Sequence, residues 1–205
     1  MAITTYAELQ AFVTAHLELD ADTEAQLPNL IQLAECELGR MILDPRREVV
    51  ATATTTAAVQ TVALPEDFIQ ARSVLIDDDY TLSAVNLNVL QGFCADSASG
   101  RPQVYAVTNQ SLAFGPIPDA VYTLTLTYLA SLTALSNSAT SNWLLETSPD
   151  AYVFAVLLQT EAYLHNDERL PLLQSKLDAV ISQINRQGNR YRNAGPARLR
   201  SPVVV

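Results

Sequence analysis

The sequence predicts an α+β protein: a helical bundle with an inserted antiparallel β-meander and an extended C-terminal tail. Apolar residues recur with a period of about 3.6 up to residue 46, about 2 in the middle of the chain, and about 3.6 again from residue 143. The last residues are basic, contain proline and lack this periodicity. The predicted domains are therefore a bundle of residues 1–46 and 143–190, a β-domain of residues 47–142 and an arm of residues 191–205.

The composition is that of a globular protein. The chain has 205 residues, of which 49% are hydrophobic, so it can bury a core and is not mainly disordered. The start of the chain lacks the features of a signal peptide, and the longest apolar run, residues 151–158, is too short to span a membrane. Cys36 and Cys94 are far apart, which favours two reduced thiols over a disulfide or a zinc site.

Two helices are predicted before the β-domain. Thr5 and Glu8 have the spacing of a capping box at the start of the first helix. The second helix is predicted to have Pro28 in its first turn and to end at Asp44-Pro45. Its apolar stripe comprises Leu30, Ile31, Ala34, Leu38, Met41 and Ile42.

The middle of the chain predicts five or six short strands. Residues 48–65 indicate two strands around a turn, residues 71–85 a hairpin whose tip is Asp77-Asp78-Asp79, and residues 102–116 a second hairpin. Residues 86–95 favour a short helix. From Tyr122 to Tyr128, apolar residues alternate with threonine, which is typical of a half-buried strand.

Helices return after a polar connector at residues 136–141. Ser148-Pro149-Asp150 is a strong helix start, and the helix that follows is apolar nearly all round. Such a helix must be enclosed, and a neighbouring subunit is one way to enclose it. The last helix is predicted to stop near Gly188. Its apolar face comprises Leu173, Leu177, Val180, Ile181 and Ile184.

The sequence offers little catalytic chemistry. It contains neither a glycine-rich phosphate loop nor a nucleophile elbow, and His16 and His165 have no nucleophile at a recognisable spacing. Lys176 fits the solvent side of an amphipathic helix, and Glu35 and Glu37 diverge on a helix. The acidic residues 77–79 lack the further ligands and the glycine of a calcium loop. We therefore expect no enzymatic activity, no cofactor and no metal.

The charge is distributed asymmetrically. Five of the twelve basic residues follow position 185 and no acidic residue follows Asp178, so the net charge of −10 divides into −15 for residues 1–185 and +5 for the rest. This pattern favours a structural protein whose tail docks on a partner. Two alternatives stay open: a nucleic-acid-binding module that acts through the arginine-rich tail, and a hydrolase with an unrecognised site.

Four segments resemble the head-to-tail adaptor (connector) proteins of tailed phages and gene transfer agents. They are "LPEDFIQARSVLID" (64–77), "GRPQVYAV" (100–107), "LAFGPIPDAVYTLTLTYLASLTALS" (112–136) and "NWLLETSPDAYVFAVLLQTEAYLHNDER" (142–169). The resemblance covers most of the chain from Leu27 onward. It implies a helical bundle with an inserted β-domain and a structural role in the virion.

The resemblance also implies partners and a place in the particle. Such proteins form a dodecameric ring at the head-tail junction (the neck), between the portal protein and a tail, nozzle or stopper protein. DNA would pass through the acidic lumen during genome ejection without specific binding, and assembly would take place in the host cytoplasm. The C-terminal segment of these adaptors commonly grips the portal. The corresponding segment here is residues 188–205, which we expect to leave the bundle and lie along the portal. Its contacts would be Arg190, Arg192, Arg198, Arg200, Val203, Val204 and Val205.

Overall fold

The structure, a computed structural model, describes residues 3–95 and 98–192. The described helices are α1 (Tyr6–Leu17), α2 (Ala21–Met41), α3 (Leu87–Phe93), α4 (Trp143–Thr147), α5 (Pro149–Tyr163) and α6 (Leu170–Arg192). The strands are β1 (Glu48–Thr54), β2 (Thr61–Ala63), β3 (Phe68–Ile76), β4 (Tyr80–Thr81), β5 (Ser83–Ala84), β6 (Val104–Thr108), β7 (Ser111–Gly115) and β8 (Thr123–Ala130). The predicted α+β class is confirmed.

The chain divides into two compact units. Of the described residues, those up to Pro45 and from Leu132 onward form a helical unit, and Arg46–Ser131 form a β-unit. Residues 132–142, which the sequence pattern placed in the β-domain, thus group with the helices. The reason is local, because the backbone N–H of Leu135 donates to Glu35 of α2 and the carbonyl of Thr140 accepts from the N–H of Tyr6 in α1.

The first two helices begin at side-chain caps. The predicted capping box is confirmed, since the Thr5 hydroxyl accepts from the Glu8 N–H while the Glu8 carboxylate accepts from the Thr5 N–H. The predicted start of the second helix is wrong. Asp20 caps α2 by accepting from the Thr23 N–H at 2.8 Å, so Pro28 lies inside the helix rather than in its first turn.

Helix α5 is the centre of the helical unit. It contacts α1, α2, α4 and α6, and Tyr152 on it is completely buried. These helices of the same chain bury eight of the fifteen residues of α5, so a neighbouring subunit is not required to enclose it. Helix α6 contributes Leu177, Ile181 and Ile184 to this core, as its apolar pattern predicts.

The β-unit contains two four-stranded sheets that share a core. The strand orders are β1-β8-β3-β4 and β2-β7-β6-β5. The shared core includes Val74, Leu124 and Leu126 of the first sheet and Leu112 and Phe114 of the second. Strand β8, the alternating segment, pairs with β1 on one side and β3 on the other, and its leucines are buried. The half-buried strand is therefore the central element of its sheet.

The strand order departs from a simple meander. Both predicted hairpins are present, as β3–β4 and β6–β7. The two strands predicted in residues 48–65 also form, but they do not pair with each other: β1 pairs with β8 and β2 pairs with β7. Strands β5 and β6 pair in parallel over two residues. Within the described ranges, no helix is long and apolar enough to cross a membrane.

Candidate functional site

The exposed end of α6 presents basic and aromatic side chains. Arg186 and Arg190 are exposed, and Tyr191 is 68% exposed. The guanidinium of Arg186 donates to the hydroxyl and the carbonyl oxygen of Ser182, one turn earlier, at 3.0 and 3.3 Å. Cationic side chains in the last turns of a helix also interact favourably with its partial negative end. This end of α6 therefore carries positive charge toward the C-terminal residues.

Asn185 fixes α6 to the end of α2. Its side-chain amide donates to the carbonyl oxygen of Met41 at 2.9 Å, and its carbonyl oxygen accepts from the N–H of Leu43 at 2.8 Å. Both groups belong to the segment where α2 ends, where backbone groups lack partners within the helix. Asn185 follows Ile181 by four residues on the apolar face of α6, and a polar residue on such a face needs a partner. That signal was available in the sequence, but we did not predict the contact.

Gly188 allows α6 to pack closely against Pro45, in the segment after α2. A β-carbon at position 188 would lie 2.8 Å from Cδ of Pro45 and 3.1 Å from Oδ2 of Asp44. The prediction that the last helix stops near Gly188 is wrong, because α6 continues to Arg192. The glycine is present for close packing and not for a C-terminal turn.

A polar cleft lies between the start of α5 and the last turns of α6. Its volume is about 270 Å³, and it is lined by Ser148, Asp150, Val180, Gln183, Ile184, Arg186, Gln187 and Arg190. The lining contains two arginines and one aspartate but no histidine, cysteine or lysine. Its charges suit contact with a polar, carboxylate-bearing surface.

Two of the seven residues predicted to contact the portal lie on α6, and the other five lie in residues 193–205, which the structure does not describe. Arg190 lies on α6 and lines the cleft, and Arg192 is the last residue of α6. The expectation that the tail leaves the bundle at residue 188 is therefore wrong for residues 188–192, since packing at Gly188 keeps the helix in place. Arg198, Arg200, Val203, Val204 and Val205 lie outside the described residues.

The three carboxylates of the acidic turn, residues 77–79, bind groups of the same chain. Asp77 and Asp78 have positive φ angles of 51° and 57°, as a tight hairpin turn requires. Asp77 accepts from the Thr123 N–H, Asp78 accepts from the Thr125 hydroxyl, and Asp79 pairs with Arg101. The Asp79 carboxylate raises the pKa of the Arg101 guanidinium. In the part of the chain that the structure describes, no group of three or more His, Cys, Asp or Glu could hold a metal ion.

The other titratable candidates have separate structural settings. The His16 ring stacks on Phe12, with ring centroids 5.7 Å apart, and the Lys176 ammonium lies 5.9 Å from the centroid of the Phe154 ring. His165 has a φ of 57° in the turn after α5. Cys36 and Cys94 are free thiols, the first exposed and the second partly buried. Within the helical unit, the contacts of His16 and Lys176 join each of them to an aromatic ring and not to one another.

A buried polar network in the helical unit was not predicted. Glu35 is only 7% exposed, and its Oε1 accepts from the Leu135 N–H at 2.7 Å and the Tyr152 hydroxyl at 3.1 Å. The Tyr152 oxygen in turn accepts from Asn142 Nδ2 at 2.6 Å. Burial raises the pKa of Glu35 above its usual value and also raises that of Tyr152. Glu37 instead accepts from Gln159, so the two carboxylates diverge.

Comparison with known proteins adds one match. A family model described as SU10 adaptor protein matches residues 4–200, nearly the whole chain. No curated protein matches the sequence. The match covers both compact units and extends beyond the end of α6.

Proposed function

The chain belongs to the SU10 adaptor family, a phage head-tail adaptor family of structural virion proteins, and from that premise we propose that it forms a ring that joins the portal to the tail machinery. The observation that carries this proposal is the family match over residues 4–200. In this proposal, twelve copies form the ring, and a tail, nozzle or stopper protein binds below it. The ring occupies the neck of the virion and is assembled in the host cytoplasm.

The tail is the proposed portal contact. Residues 193–205 follow the end of α6, which Asn185 and Gly188 hold against the segment after α2. A fixed starting point reduces the volume that a flexible tail explores, and thus increases its effective concentration near a partner. Arg190, Arg192, Arg198 and Arg200 would pair with carboxylates of the portal, because guanidinium groups form bidentate bonds with them. Val203, Val204 and Val205 would add apolar contacts.

The negative charge of residues 1–185 supports the proposal that DNA passes through the ring. Residues 1–185 carry a formal charge of −15. A lumen that exposes carboxylates repels phosphate, so DNA would move through without binding specifically. The arginines would then be reserved for the portal side of the ring.

A mass measurement tests the ring. The purified chain is mixed with portal rings from the same phage, and the complex is measured by light scattering and viewed by cryo-electron microscopy. We expect twelve copies of the chain on each portal ring. A chain that remains monomeric at every concentration, with and without portal, would contradict the proposal.

A further inference from the structure

The two sheets of the β-unit end in open strand edges on two sides. On the first open side, β1 and β2 are the last strands of their sheets, and no described strand pairs with their outer edges. On the second open side, β4 and β5 each pair with only two residues of the neighbouring strand. No described strand therefore pairs with the outer edge of β3 at residues 68–73 or with that of β6 at residues 106–108. Open edges present unpaired backbone N–H and C=O groups to an approaching strand.

Each open side carries a groove that no charged residue lines. The groove on the first side lies between β1 and β2 and has a volume of about 250 Å³. The groove on the second side lies between β3 and β6 and has a volume of about 430 Å³. Val49 and Val50 of β1 are 40% and 62% exposed, and Ile69 beside the second groove is 48% exposed. Exposed apolar side chains that cluster in this way indicate an interaction surface.

Strand β1 lacks the features that keep an exposed edge from pairing. Protected edges usually carry charged residues, proline or bulges. Residues 49–54 contain neither a charged residue nor a proline, and β1 pairs with β8 without a shift in register. The pairing of β3 with β8 does shift register, at Ile69 and at Arg72. The two edges thus differ, and two different edges form a head-to-tail contact, which closes into a ring when the rotation between copies allows it.

The strand directions are compatible with such a contact. Strands β1 and β3 both pair antiparallel with β8, so they run parallel to each other. Rotation about a ring axis that lies along the strands preserves their direction. It brings β1 of one copy beside β3 of the next copy, with both strands running the same way, and parallel edges can form hydrogen bonds.

The charges in front of these two strands are complementary. Strands β1 and β3 begin beside consecutive residues of β8, Leu129 and Ala130, and therefore at the same level of the sheet. Arg46 lies two residues before β1, Glu66 lies two residues before β3, and both are exposed. A guanidinium has several N–H donors, so Arg46 can bind a carboxylate of another copy in addition to its contacts within the chain.

We propose that β1 of each copy docks on the second open side of the next copy. This inference rests on the proposed function, since it names a contact between the copies of that ring. Val49 and Val50 cover the groove between β3 and β6, and Arg46 pairs with Glu66 of the next copy. Because β3 is bulged, apolar packing contributes more to the contact than a continuous ladder of hydrogen bonds. In a closed ring, each copy covers both of its open sides.

Cross-linking between chains with one cysteine each tests this contact. Cys36→Ser and Cys94→Ser remove the natural thiols. One chain then carries Val49→Cys and another carries Ile69→Cys, and the two are mixed, assembled on portal rings and treated with a short bismaleimide. A dimer can form only between copies, because each chain has a single thiol. We expect about tenfold more covalent dimer than from a control pair, since thiols held side by side react at a high effective concentration.

Thr123→Cys mixed with Ile69→Cys is the matched control pair. Thr123 is exposed but lies on β8, which has a strand on each side, so this pair should give no dimer above background. The Val49→Cys chain alone should also give none. A dimer from that chain alone would mean that two β1 edges meet, and this result would overturn the inference.

Light scattering of the same samples before cross-linking separates this inference from the proposed function. Rings of the expected mass that give no dimer between Val49→Cys and Ile69→Cys would overturn the inference and leave the ring in place. Chains that do not assemble on the portal, either as variants or as the wild type, would contradict both proposals.

Discussion

Gly188 of α6 packs so closely on Pro45 that a β-carbon at position 188 would lie 2.8 Å from the proline Cδ. Real β-carbons almost never approach another atom this closely, and the neighbouring Asp44 Cα would also lie within 3.3 Å. The pyrrolidine ring and the backbone cannot move aside as a flexible side chain can. The absence of a side chain at position 188 is therefore what allows the last turns of α6 to lie against the segment after α2.

Gly188→Ala should destabilise the protein even though it lies inside a helix. Alanine normally improves the stability of a helix interior by up to about 1 kcal/mol relative to glycine. Here overpacking should outweigh this gain and lower the free energy of unfolding by about 1–3 kcal/mol. Urea denaturation followed by circular dichroism measures the change. Gly39→Ala in α2 is the matched control, because a β-carbon there meets no atom within 4 Å and should be neutral or stabilising.

Asn185→Ala should weaken the same junction through its hydrogen bonds. It removes the acceptor for the Leu43 N–H and the donor to the Met41 carbonyl. We expect a loss of about 1–2 kcal/mol in the free energy of unfolding, since these bonds are only partly buried. Gln183→Ala, at an exposed position of the same helix, should change it by less than about 0.5 kcal/mol. Equal losses for both variants would show that Asn185 does not anchor the helix.

Glu35→Gln should change how stability depends on pH. Burial raises the pKa of Glu35 in the folded protein above its value in the unfolded chain, so folding favours the protonated form. The wild type should therefore lose stability, relative to the variant, as pH rises from the unfolded pKa through the folded pKa. The loss is about 1.4 kcal/mol for each unit between the two pKa values.

Glu35→Gln keeps an oxygen that can accept from Leu135 and Tyr152. The wild type and Glu35→Gln should therefore have similar stability at pH values below the unfolded pKa of Glu35. Glu35→Ala is a contrasting variant, because it leaves both buried donors without their acceptor. It should be destabilising at every pH. Urea denaturation at several pH values measures these differences. If the difference in the free energy of unfolding between the wild type and Glu35→Gln does not depend on pH, the pKa of Glu35 is not raised in the folded protein.

The acidic turn should not respond to calcium. Its carboxylates already bind Arg101, Thr123 and Thr125, and calcium needs six or more oxygen ligands. We expect that adding CaCl₂ leaves the melting temperature unchanged compared with an equal ionic strength of NaCl. Asp78→Asn should behave in the same way. A calcium-specific increase that disappears in Asp78→Asn would show that the turn is a metal site.

Local signals in the sequence predicted the local structure well. The capping box at Thr5 depends on residues only three apart, and the Asp77-Asp78-Asp79 turn depends on a short stretch between two apolar segments. The alternation around Leu124 and Leu126 correctly indicated a half-buried strand. These features are determined by neighbours in sequence, so they can be predicted without knowing the tertiary structure.

Features that depend on distant residues were predicted less well. Strands β1 and β2 are close in sequence, but each pairs with a partner more than 45 residues away. Pro28 was placed in a first turn because proline is favoured there, whereas the Asp20 cap starts the helix two turns earlier. Gly188 suggested a helix end because the proximity of Pro45 cannot be inferred from the pattern around position 188.

The central claim is that residues 193–205 attach the protein to the portal. The most direct test compares portal binding by the full-length chain and by a chain that ends at Arg192. The shorter chain keeps α6 and its contacts through Asn185 and Gly188, so its melting temperature should be nearly unchanged. Co-sedimentation with portal rings should show attachment of the full-length chain and loss of attachment by the shorter one. If the chain ending at Arg192 still binds the portal with full occupancy, residues 193–205 are not the portal contact and that claim is wrong.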